Sequence, residues 1–319
     1  MIYLLGASGY VGGAFARELS RRGAAYRAIA RSELDYTHFR VLADALKSHR
    51  PSLVINCAGF TGKPNVDACE TQRTQTILGN IVLAQTVAEA CDAAGVRLGA
   101  VSSGCIYTGA KVRGEDGSWT IRDDLNAADL AGLLRARSPG IRGFDEGDEP
   151  NFTFERGSSF YSGTKAVAEK VLLGFPSVYV WRLRIPFEQR DNPRNYLSKL
   201  QTYPRLYQNW NSLSHLGDFA SACVQIAESD LPGGAYNVVN PGYVSTREVV
   251  ELIKKAGRPN WQPEFWLDDN EFYRSAALAR RSNCLLETTK LAKCGIKMRD
   301  VETALTDSLR HWAKVDAAR

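Results

Sequence analysis

The sequence lacks the features that mark several large classes of protein. It contains seven cysteines without a Cys-x-x-Cys pair and four scattered histidines, which argues against a disulfide framework and against a metal site. It has no apolar stretch of about 18 residues and no basic region after Met1, so we expect neither a transmembrane helix nor a signal peptide. Lys and Arg form no basic run, which argues against a nucleic-acid partner. We therefore expect a cytoplasmic protein that contacts neither membrane nor nucleic acid.

The composition is that of a globular protein with a sizeable core. Hydrophobic residues make up 44% of the chain and charged residues 24%, close to the usual proportions. At roughly 150 residues per domain, a chain of 319 residues predicts two lobes. The net charge of +5 is compatible with an anionic ligand.

Short apolar runs alternate with segments of helical periodicity, the pattern of βαβ units and a parallel sheet. Strands are predicted at residues 2–5, 25–30, 53–57, 98–102, 178–183 and 236–239, and helices at 13–22, 39–48, 76–94, 162–173, 289–294 and 301–314. We expect an α/β fold, with a Rossmann-like doubly wound parallel sheet and a smaller α+β lobe that binds substrate. The first domain is assigned to residues 1–183 and 208–240, and the second to 184–207 and 241–319. Residues 114–143 read as an insertion or a mobile loop, with no role assigned.

A glycine-rich turn follows the first predicted strand and opens a helix. In this context glycines allow a tight turn and close approach to a pyrophosphate, while the helix start offers free N–H groups. The alternative is that the glycines serve helix packing alone. The spacing GxxGxxG differs from the GxGxxG of simpler dehydrogenases. The residues predicted to bind a dinucleotide here are Gly6, Ser8, Gly9, Tyr10, Val11 and Gly12.

The residues after the second strand bear on the choice of cofactor. Arg31 stands where an enzyme that recognises a free ribose 2′-hydroxyl usually has an acid, and a cation there suits a 2′-phosphate. We therefore expect NADPH (NADP+) rather than NADH, although Arg31 could be an ordinary loop arginine. Asp35 is predicted either to border the adenine or to cap the helix that starts near Thr37.

Tyr161 and Lys165 lie four residues apart at the start of a predicted helix, which places them on one face. An ammonium beside a phenol is expected to lower the phenol pKa and make it a usable acid or base. The pattern alone also fits a surface helix. Ser103, at the end of a predicted strand in mid-sheet, is expected to hydrogen-bond the substrate oxygen that Tyr161 protonates.

With these three residues in place, the chain resembles the extended short-chain dehydrogenase/reductases, most closely the nucleotide-rhamnose epimerase/reductases and more distantly the dTDP-4-dehydrorhamnose reductases. The resemblance extends to about residue 255. It is carried by the segments 58–67, 69–70, 103–107, 150–152, 159–162, 164–166, 182–186, 192–196, 240–242 and 244–245, together with Lys199.

The resemblance implies conversion of a nucleotide-linked 4-keto-6-deoxyhexose into a 6-deoxyhexose, by 3,5-epimerisation and then hydride transfer to C4. Epimerisation needs a second acid/base pair, because a proton leaves one face of a carbon and returns on the other. In the resembling family this pair is a cysteine two positions after the catalytic Ser or Thr and a lysine after the Asn-Pro-Arg-Asn segment, which here are Cys105 and Lys199. A buried filler cysteine and a solvated lysine are the alternatives.

The resemblance also implies binding roles for residues outside the catalytic set. Ala58, Gly59 and Asn80 are expected on the cofactor side. Asn80 resembles the family's helix Asn and would help hold the active-site backbone, with a buried, satisfied amide as the alternative. Thr61, Gly62 and Asn65 are expected on the substrate side. Arg194 and Asn195 are expected to contact the nucleotide diphosphate, and a loop-stabilising role is the alternative for Arg194.

Three hypotheses for the activity follow, and they differ in the chemistry they require. The first is an NADPH-dependent epimerase/reductase; the second is an enzyme of the same fold that only reduces, or that dehydrates or epimerises with bound cofactor. The third is a non-catalytic NADP(H)-binding regulator. Two segments, between Tyr107 and Phe144 and at residues 154–156, are longer than in the resembling family and lie where substrate would be covered, so the sugar or nucleotide is expected to differ. A homodimer is left open.

Overall fold

The computed structural model describes residues 1–312. In this part of the chain the strands are short and lie at β1 (Ile2–Leu5), β2 (Tyr26–Ile29), β3 (Leu53–Asn56), β4 (Arg97–Ser103), β5 (Ala110–Arg113), β6 (Trp119–Arg122), β7 (Ile141–Arg142), β8 (Val178–Leu183), β9 (Pro186–Phe187), β10 (Arg205–Leu206), β11 (Trp210–Asn211), β12 (Ser214–His215), β13 (Gly234–Asn237), β14 (Val244–Ser245) and β15 (Glu264–Phe265).

The helices connect these strands and cover the central sheet. They are α1 (Tyr10–Arg21), α2 (Phe39–His49), α3 (Ala68–Thr71), α4 (Arg73–Ile77), α5 (Leu83–Ala94), α6 (Ala128–Arg135), α7 (Phe160–Leu172), α8 (Tyr196–Thr202), α9 (Leu216–Glu228), α10 (Thr246–Lys255), α11 (Asp269–Ser275), α12 (Thr289–Lys293) and α13 (Val301–Arg310). A π-helical segment, Leu78–Val82, joins α4 to α5, and 3₁₀ turns lie at Gly104–Ile106 and Phe154–Arg156.

The central sheet is parallel, with six strands in the order β13-β8-β4-β3-β1-β2. The strand order reverses between β1 and β3, so the connections leave these two strands toward opposite sides of the sheet. In open α/β sheets, ligands bind outside the carboxyl ends of the strands at such a switch point. The loops after β1, β2 and β3 therefore face a common crevice.

Both faces of the sheet are buried, which explains why its strands read as nearly continuous apolar runs. Alternate residues point to opposite faces: in β1, Leu4 joins one core cluster while Tyr3 and Leu5 join the other. The first cluster packs against α1 and α9, and the second against α2 and α5. The predicted doubly wound α/β class is confirmed.

A separate hydrophobic cluster forms the core of the smaller lobe. Its buried members come from two stretches of the chain, residues 187–213 and 244–309, and α10 packs on α13 within it. The domain boundaries given above stay a prediction. Helix α13 ends at Arg310 rather than at the predicted residue 314, and residues 313 and 314 lie outside the described part of the chain.

The segment predicted as an insertion or mobile loop is folded. Strands β5, β6 and β7 form an antiparallel sheet in the order β6-β5-β7, and α6 lies between β6 and β7. Leu125, Leu130 and Leu134 are fully or almost fully buried and pack with Trp210 and Leu285 of the rest of the molecule. This apolar anchoring fixes the segment on the smaller lobe, so the mobile-loop alternative is wrong.

Candidate active site

The glycine-rich turn is built by contacts that exclude side chains at two positions. Gly6 has φ +73, and a Cβ added to it would lie 2.7 Å from the Ala58 nitrogen. A Cβ on Gly12 would lie 2.1 Å from the Gly6 oxygen. These distances show that the turn, the start of α1 and the loop after β3 touch through backbone atoms. Only glycine allows this packing.

No side-chain group at the start of α1 occupies the N–H groups that an anion would bind. Its N-cap residue is Gly9, which makes no side-chain cap hydrogen bond, and the first turn contains no acidic residue. The first N–H groups of a helix lack intrahelical partners, and the helix dipole adds positive potential at this end. The turn therefore has the donors and the field that a pyrophosphate requires.

A cleft of about 930 Å³ opens beside this turn. Gly6, Ser8, Gly9, Arg31, Ala58 and Gly59, all predicted to bind the cofactor, line it; the other lining residues include Ala7, Ala28, Ile29, Ala30, Tyr36, Thr37, Cys57, Phe60, Gln75, Leu78, Gly79, Val82 and Leu83. The volume lies at the upper end of small-molecule pockets, about 300–1,000 Å³. The glycine turn, the open helix end and Arg31 fit a dinucleotide with a 2′-phosphate.

Five of the residues named above for the cofactor do not line the cleft: Tyr10, Val11, Gly12, Asp35 and Asn80. Tyr10 and Val11 pack against the core cluster between the sheet and α1, so their side chains face away from it. The Asp35 carboxylate accepts hydrogen bonds from the Thr37 amide and hydroxyl, at 3.1 and 2.5 Å, and contacts the His38 ring. It fixes the turn before α2 without being that helix's N-cap, which is His38.

An apolar wall of the cleft was not predicted. Leu78 and Val82 are 54% and 41% exposed although they are aliphatic, and both face the cleft. They lie four residues apart on the π-helical segment. Exposed aliphatic residues that line a cavity are suited to cover a flat ring. In the sequence, the only sign of this apolar wall is the spacing of Leu78 and Val82 around Asn80.

Asn80 lies at the centre of that π-helical segment and acts as a positioning residue. Its amide oxygen accepts from the Phe60 nitrogen at 2.9 Å, and its Nδ2 donates to the Phe60 oxygen at 2.9 Å and to Thr164 Oγ1 at 3.2 Å. It is buried and does not line the cleft. Asn80 therefore joins the loop after β3 to α7, and a direct cofactor contact by its side chain does not fit this arrangement.

The three predicted catalytic groups come from β4 and α7. Ser103 ends β4, and its Oγ accepts a hydrogen bond from the Cys105 nitrogen at 3.2 Å. Tyr161 and Lys165 lie on the first turns of α7, which starts with the Ser159 cap. Lys165 Nζ donates to the Val101 oxygen at 3.4 Å. Ser103 is near enough to Tyr161 to lower the pKa of its phenol. The structure thus brings Ser103, Tyr161 and Lys165 together.

The predicted direction of the Tyr161 pKa is wrong for this arrangement. Burial raises the pKa of the Tyr161 phenol well above its usual range, and the nearby Cys105 and Cys69 thiols add to this effect. The same burial lowers the pKa of Lys165. Desolvation disfavours both charged forms and outweighs the expected influence of the ammonium. The phenol consequently stays protonated and can donate a proton.

Cys105 adjoins the same catalytic groups. It is 7% exposed, and burial raises the pKa of its thiol, while hydrogen bonding by Ser103 and Ser162 and the charges of Arg184 and Lys165 act in the opposite direction. The Cys105 thiol lies within electrostatic reach of Tyr161 and raises the pKa of its phenol. Cys69, which was not predicted as a site residue, lies beside both.

Lys199 lies on α8 in a partly buried, cationic environment. Burial lowers the pKa of its ammonium, and the charges of Arg194 and Arg281 lower it further. Among residues 1–312 no carboxylate forms an ion pair with it. Because Arg194 also lowers the Tyr161 pKa, this arginine lies within electrostatic reach of both groups. Lys199 is thus a candidate base.

The loop after β3 is tied to the smaller lobe by two arginines. Arg194 donates to Thr61 Oγ1 at 2.6 Å and to the Gly62 oxygen at 3.3 Å. Arg281 forms a bidentate pair with Asp67, at 2.7 and 2.8 Å. Bidentate pairs of this kind hold geometry strongly. They bring the predicted substrate residues Thr61, Gly62 and Arg194 together.

Two other predicted substrate residues serve the backbone. Asn195 is fully buried, caps α8 through the Leu197 nitrogen, and donates to the Glu188 and Arg190 oxygens, both at 2.7 Å. Its amide is fully used, so the predicted contact with a diphosphate does not fit. The Asn65 side chain accepts from the Asp67 nitrogen at 2.8 Å and shapes the turn before α3.

Within residues 1–312, no group of three or more His, Cys, Asp or Glu side chains is arranged to hold a metal ion. No helix in the same range is long and apolar enough to cross a membrane.

Comparison with known proteins agrees with the predicted resemblance. A bifunctional dTDP-4-dehydrorhamnose 3,5-epimerase/dTDP-4-dehydrorhamnose reductase of Arabidopsis thaliana is 32% identical over 291 residues, covering 90% of this chain and 85% of that protein. A trifunctional UDP-glucose 4,6-dehydratase/UDP-4-keto-6-deoxy-D-glucose 3,5-epimerase/UDP-4-keto-L-rhamnose-reductase of the same plant is 31% identical over 304 residues, which cover 95% of this chain. The chain spans only 41% of the length of that relative.

The fold is also found among solved structures. The UDP-rhamnose synthase of Acanthamoeba polyphaga mimivirus superposes with a TM-score of 0.79 at 24% identity, covering 98% of this chain and 99% of the other. The sequence profile described as the RmlD substrate binding domain matches residues 1–314. The chain therefore belongs to the RmlD substrate binding domain family.

Proposed function

We propose that the chain is an NADPH-dependent oxidoreductase that forms a nucleotide-linked 6-deoxyhexose of the rhamnose type from a nucleotide-linked 4-keto-6-deoxyhexose. Epimerisation at C3 and C5 precedes reduction at C4. The reductase part is supported by family membership and by the names of the relatives. The epimerase part is supported by the 3,5-epimerase activities in the names of the relatives. The observation that carries it is the position of Cys105 next to the reducing groups, where its backbone nitrogen donates to Ser103 Oγ at 3.2 Å.

The two lobes divide the binding tasks in this proposal. Residues 1–183 and 208–240 hold the cofactor at the glycine turn, with Arg31 facing the 2′-phosphate. Residues 184–207 and 241–319 bind the nucleotide sugar, and Arg194 with the Thr61–Gly62 backbone borders it. NADPH, when bound, supplies the hydride for the C4 carbonyl.

Reduction needs a proton donor at the C4 oxygen. Tyr161 is suited to this role because burial keeps its phenol protonated. Ser103 Oγ hydrogen-bonds the same oxygen, and Lys165, whose own pKa is lowered, returns a proton to the phenolate after transfer. General acids of this kind contribute about 10²- to 10⁴-fold in rate.

Epimerisation requires a base and an acid on opposite faces of the carbon. Lys199, with its lowered pKa, is available as a neutral amine that removes the proton beside the ketone and leaves an enolate. Cys105, with its raised pKa, remains a thiol that returns a proton to the carbon. Solvent exchange then restores the amine and the thiol. Environments that push two pKa values apart are typical of acid/base pairs.

A reductase without epimerase activity is the second candidate. The burial of Cys105, which is 7% exposed, favours it, because a small thiol is also a common core residue. In that case the substrate is already epimerised, and only Ser103, Tyr161 and Lys165 take part in chemistry. The two candidates differ in proton exchange at C3 and C5.

Deuterium incorporation separates these candidates. The protein is given NADPH and dTDP- or UDP-4-keto-6-deoxyglucose in deuterated water, and the product is analysed by mass spectrometry and NMR. The epimerase/reductase incorporates deuterium at C3 and C5 while NADPH is consumed. Consumption of NADPH without deuterium at either carbon would eliminate the epimerase step and leave the reductase alone. A cytoplasmic location and a homodimer stay predictions.

A further inference from the structure

A second cavity lies outside the cofactor cleft and shares no lining residue with it. It has a volume of about 320 Å³. Four separate parts of the chain contribute its walls: Thr108, the β6 region with Ile121 and Asp123, the 151–156 segment with Asn151, Phe152 and Arg156, and Arg280. Its volume is close to the lower limit of small-molecule sites, about 300 Å³. The cavity accepts a chemical group or a small ion rather than a dinucleotide.

The cavity is attached to the catalytic segments. Thr108 follows Cys105 by three residues. The Asn151 side chain accepts a hydrogen bond from the Thr108 nitrogen and donates one to the Thr108 oxygen, both at 2.8 Å. Arg156 precedes Tyr161 by five residues. The ring of Phe154 packs so closely on the first turn of α7 that a Cβ on Gly163 would lie 2.3 Å from it. A group bound in the cavity therefore lies beside the catalytic helix.

The wall formed by the insertion is fixed in place. Its apolar cluster anchors α6, and the buried Lys111 of β5 forms ion pairs with Asp145 and Asp148. β6, which precedes Asp123, pairs with β5 along its whole length. Preorganised walls lower the ordering cost of ligand binding. Both segments that are longer than in the resembling family, 108–143 and 154–156, thus meet at one cavity.

The charge of the cavity favours an anion. Arg156 and Arg280 are its two cationic groups, and within residues 1–312 neither forms an ion pair with a carboxylate. The only hydrogen bond of either guanidinium is a long one, 3.4 Å, from Arg280 to the Gly157 oxygen. Asp123 is the single acid in the lining and pairs with neither arginine. Two free guanidiniums suit a carboxylate or phosphate, which they can bind through forked hydrogen bonds.

We propose that this cavity is an anion subsite in which Arg156 and Arg280 bind a carboxylate or phosphate group beside the catalytic helix. The anion is a free small anion, for which inorganic phosphate is the probe. The subsite is therefore independent of the proposed function. Asp123 opposes anion binding and limits the subsite to groups that satisfy both arginines.

The test is a calorimetric titration of inorganic phosphate into the NADP+-loaded protein. The variants are the double substitution Arg156→Gln with Arg280→Gln, and Asp123→Asn. Arg135→Gln on the exposed side of α6 is the matched control, and thermal unfolding checks that every variant is folded.

Phosphate binds the wild type at least about tenfold more tightly than the double variant. Asp123→Asn strengthens phosphate binding, and Arg135→Gln changes nothing.

The proposal is overturned if phosphate does not bind the wild type, or if it binds the wild type and the double variant equally well. Neither outcome bears on the proposed function, which the deuterium experiment tests separately.

Discussion

The two sides of the active site are built from different parts of the polypeptide. On the cofactor side, the turn that faces the ligand consists of main-chain atoms of Gly6–Gly9 and the first amides of α1, held together by contacts that a single Cβ would break. On the substrate side, charged side chains from distant segments meet, as in the Asp67–Arg281 and Arg194–Thr61 pairs. The cofactor side should therefore respond to side-chain volume, and the substrate side to charge.

The largest expected effect is that of Gly12→Ala on the cofactor side. The added Cβ would lie 2.1 Å from the Gly6 oxygen and 2.8 Å from the Ala7 Cα, so the turn must move. We expect the free energy of unfolding to fall by about 1–3 kcal/mol and NADPH affinity to fall at least about tenfold. Urea denaturation and NADPH fluorescence titration measure these losses. Gly13→Ala is the control, because its Cβ would only approach the Arg17 side chain at 3.5 Å; equal losses in both variants would contradict the explanation.

Asp67→Asn tests the substrate side with almost no change of volume. It removes the charge that holds Arg281, so the loop after β3 loses its connection to the 279–281 segment. We expect KM for the nucleotide sugar to rise about tenfold, in line with the loss of a charge-assisted pair, while NADPH affinity stays unchanged. Steady-state kinetics and NADPH titration measure the two quantities. A loss of NADPH affinity without a change in KM would contradict the assignment of Asp67 to the substrate side.

A smaller effect is expected from Arg31→Gln. Arg31 is the one charged side chain on the cofactor side for which a ligand contact is proposed. Removing it should lower the affinity for NADPH about threefold to tenfold, the value of one exposed charge contact, and leave NADH affinity unchanged. Asp35→Asn, at a carboxylate that faces away from the cleft, is the comparison. If Asp35→Asn changed the preference for NADPH and Arg31→Gln did not, the assignment of the 2′-phosphate site would be wrong.

The smallest expected effect is a shift in a pH profile. The proposed mechanism uses Lys199 as a neutral amine, so exchange at C3 and C5 should increase as pH rises toward its lowered pKa. Arg194→Gln removes a positive charge that lowers this pKa; the pKa then rises and the profile moves to higher pH, by less than about one unit. Deuterium exchange at saturating substrate measures the midpoint. A midpoint that stays in place or moves to lower pH contradicts the role of Arg194.

The comparison also explains which features the sequence could predict. The glycine turn and the Tyr161–Lys165 pair are local patterns, because their members lie within a few residues on one turn or helix. The ion pair of Arg281 with Asp67, and the position of Arg156 and Arg280 in one cavity wall, depend on long-range contacts that no local pattern encodes. The fold class followed from alternating strands and helices, and the family from residues spread along the chain.

Several predicted roles compete with another physical effect that a motif does not reveal. Asn195 was assigned to the substrate, but an asparagine before a short helix is also a strong N-cap, and the cap is what the structure uses. Asp35 serves its own turn in a similar way. The Tyr161 pKa was expected to fall because Lys165 is nearby, whereas burial, which a motif does not reveal, raises it.

The central claim is that one pocket holds two sets of groups, Cys105 with Lys199 for proton exchange and Ser103, Tyr161 and Lys165 for reduction. The rate of NADPH oxidation by Cys105→Ala, measured with two ketones, tests it most directly. With nucleotide-linked 4-keto-6-deoxyglucose, which must first be epimerised, we expect the rate to fall at least about 100-fold. With the already epimerised 4-keto-rhamnose nucleotide, it should stay within about threefold of the wild-type rate, since the reducing groups are intact. Equal losses with both ketones, or no loss with either, would contradict the claim.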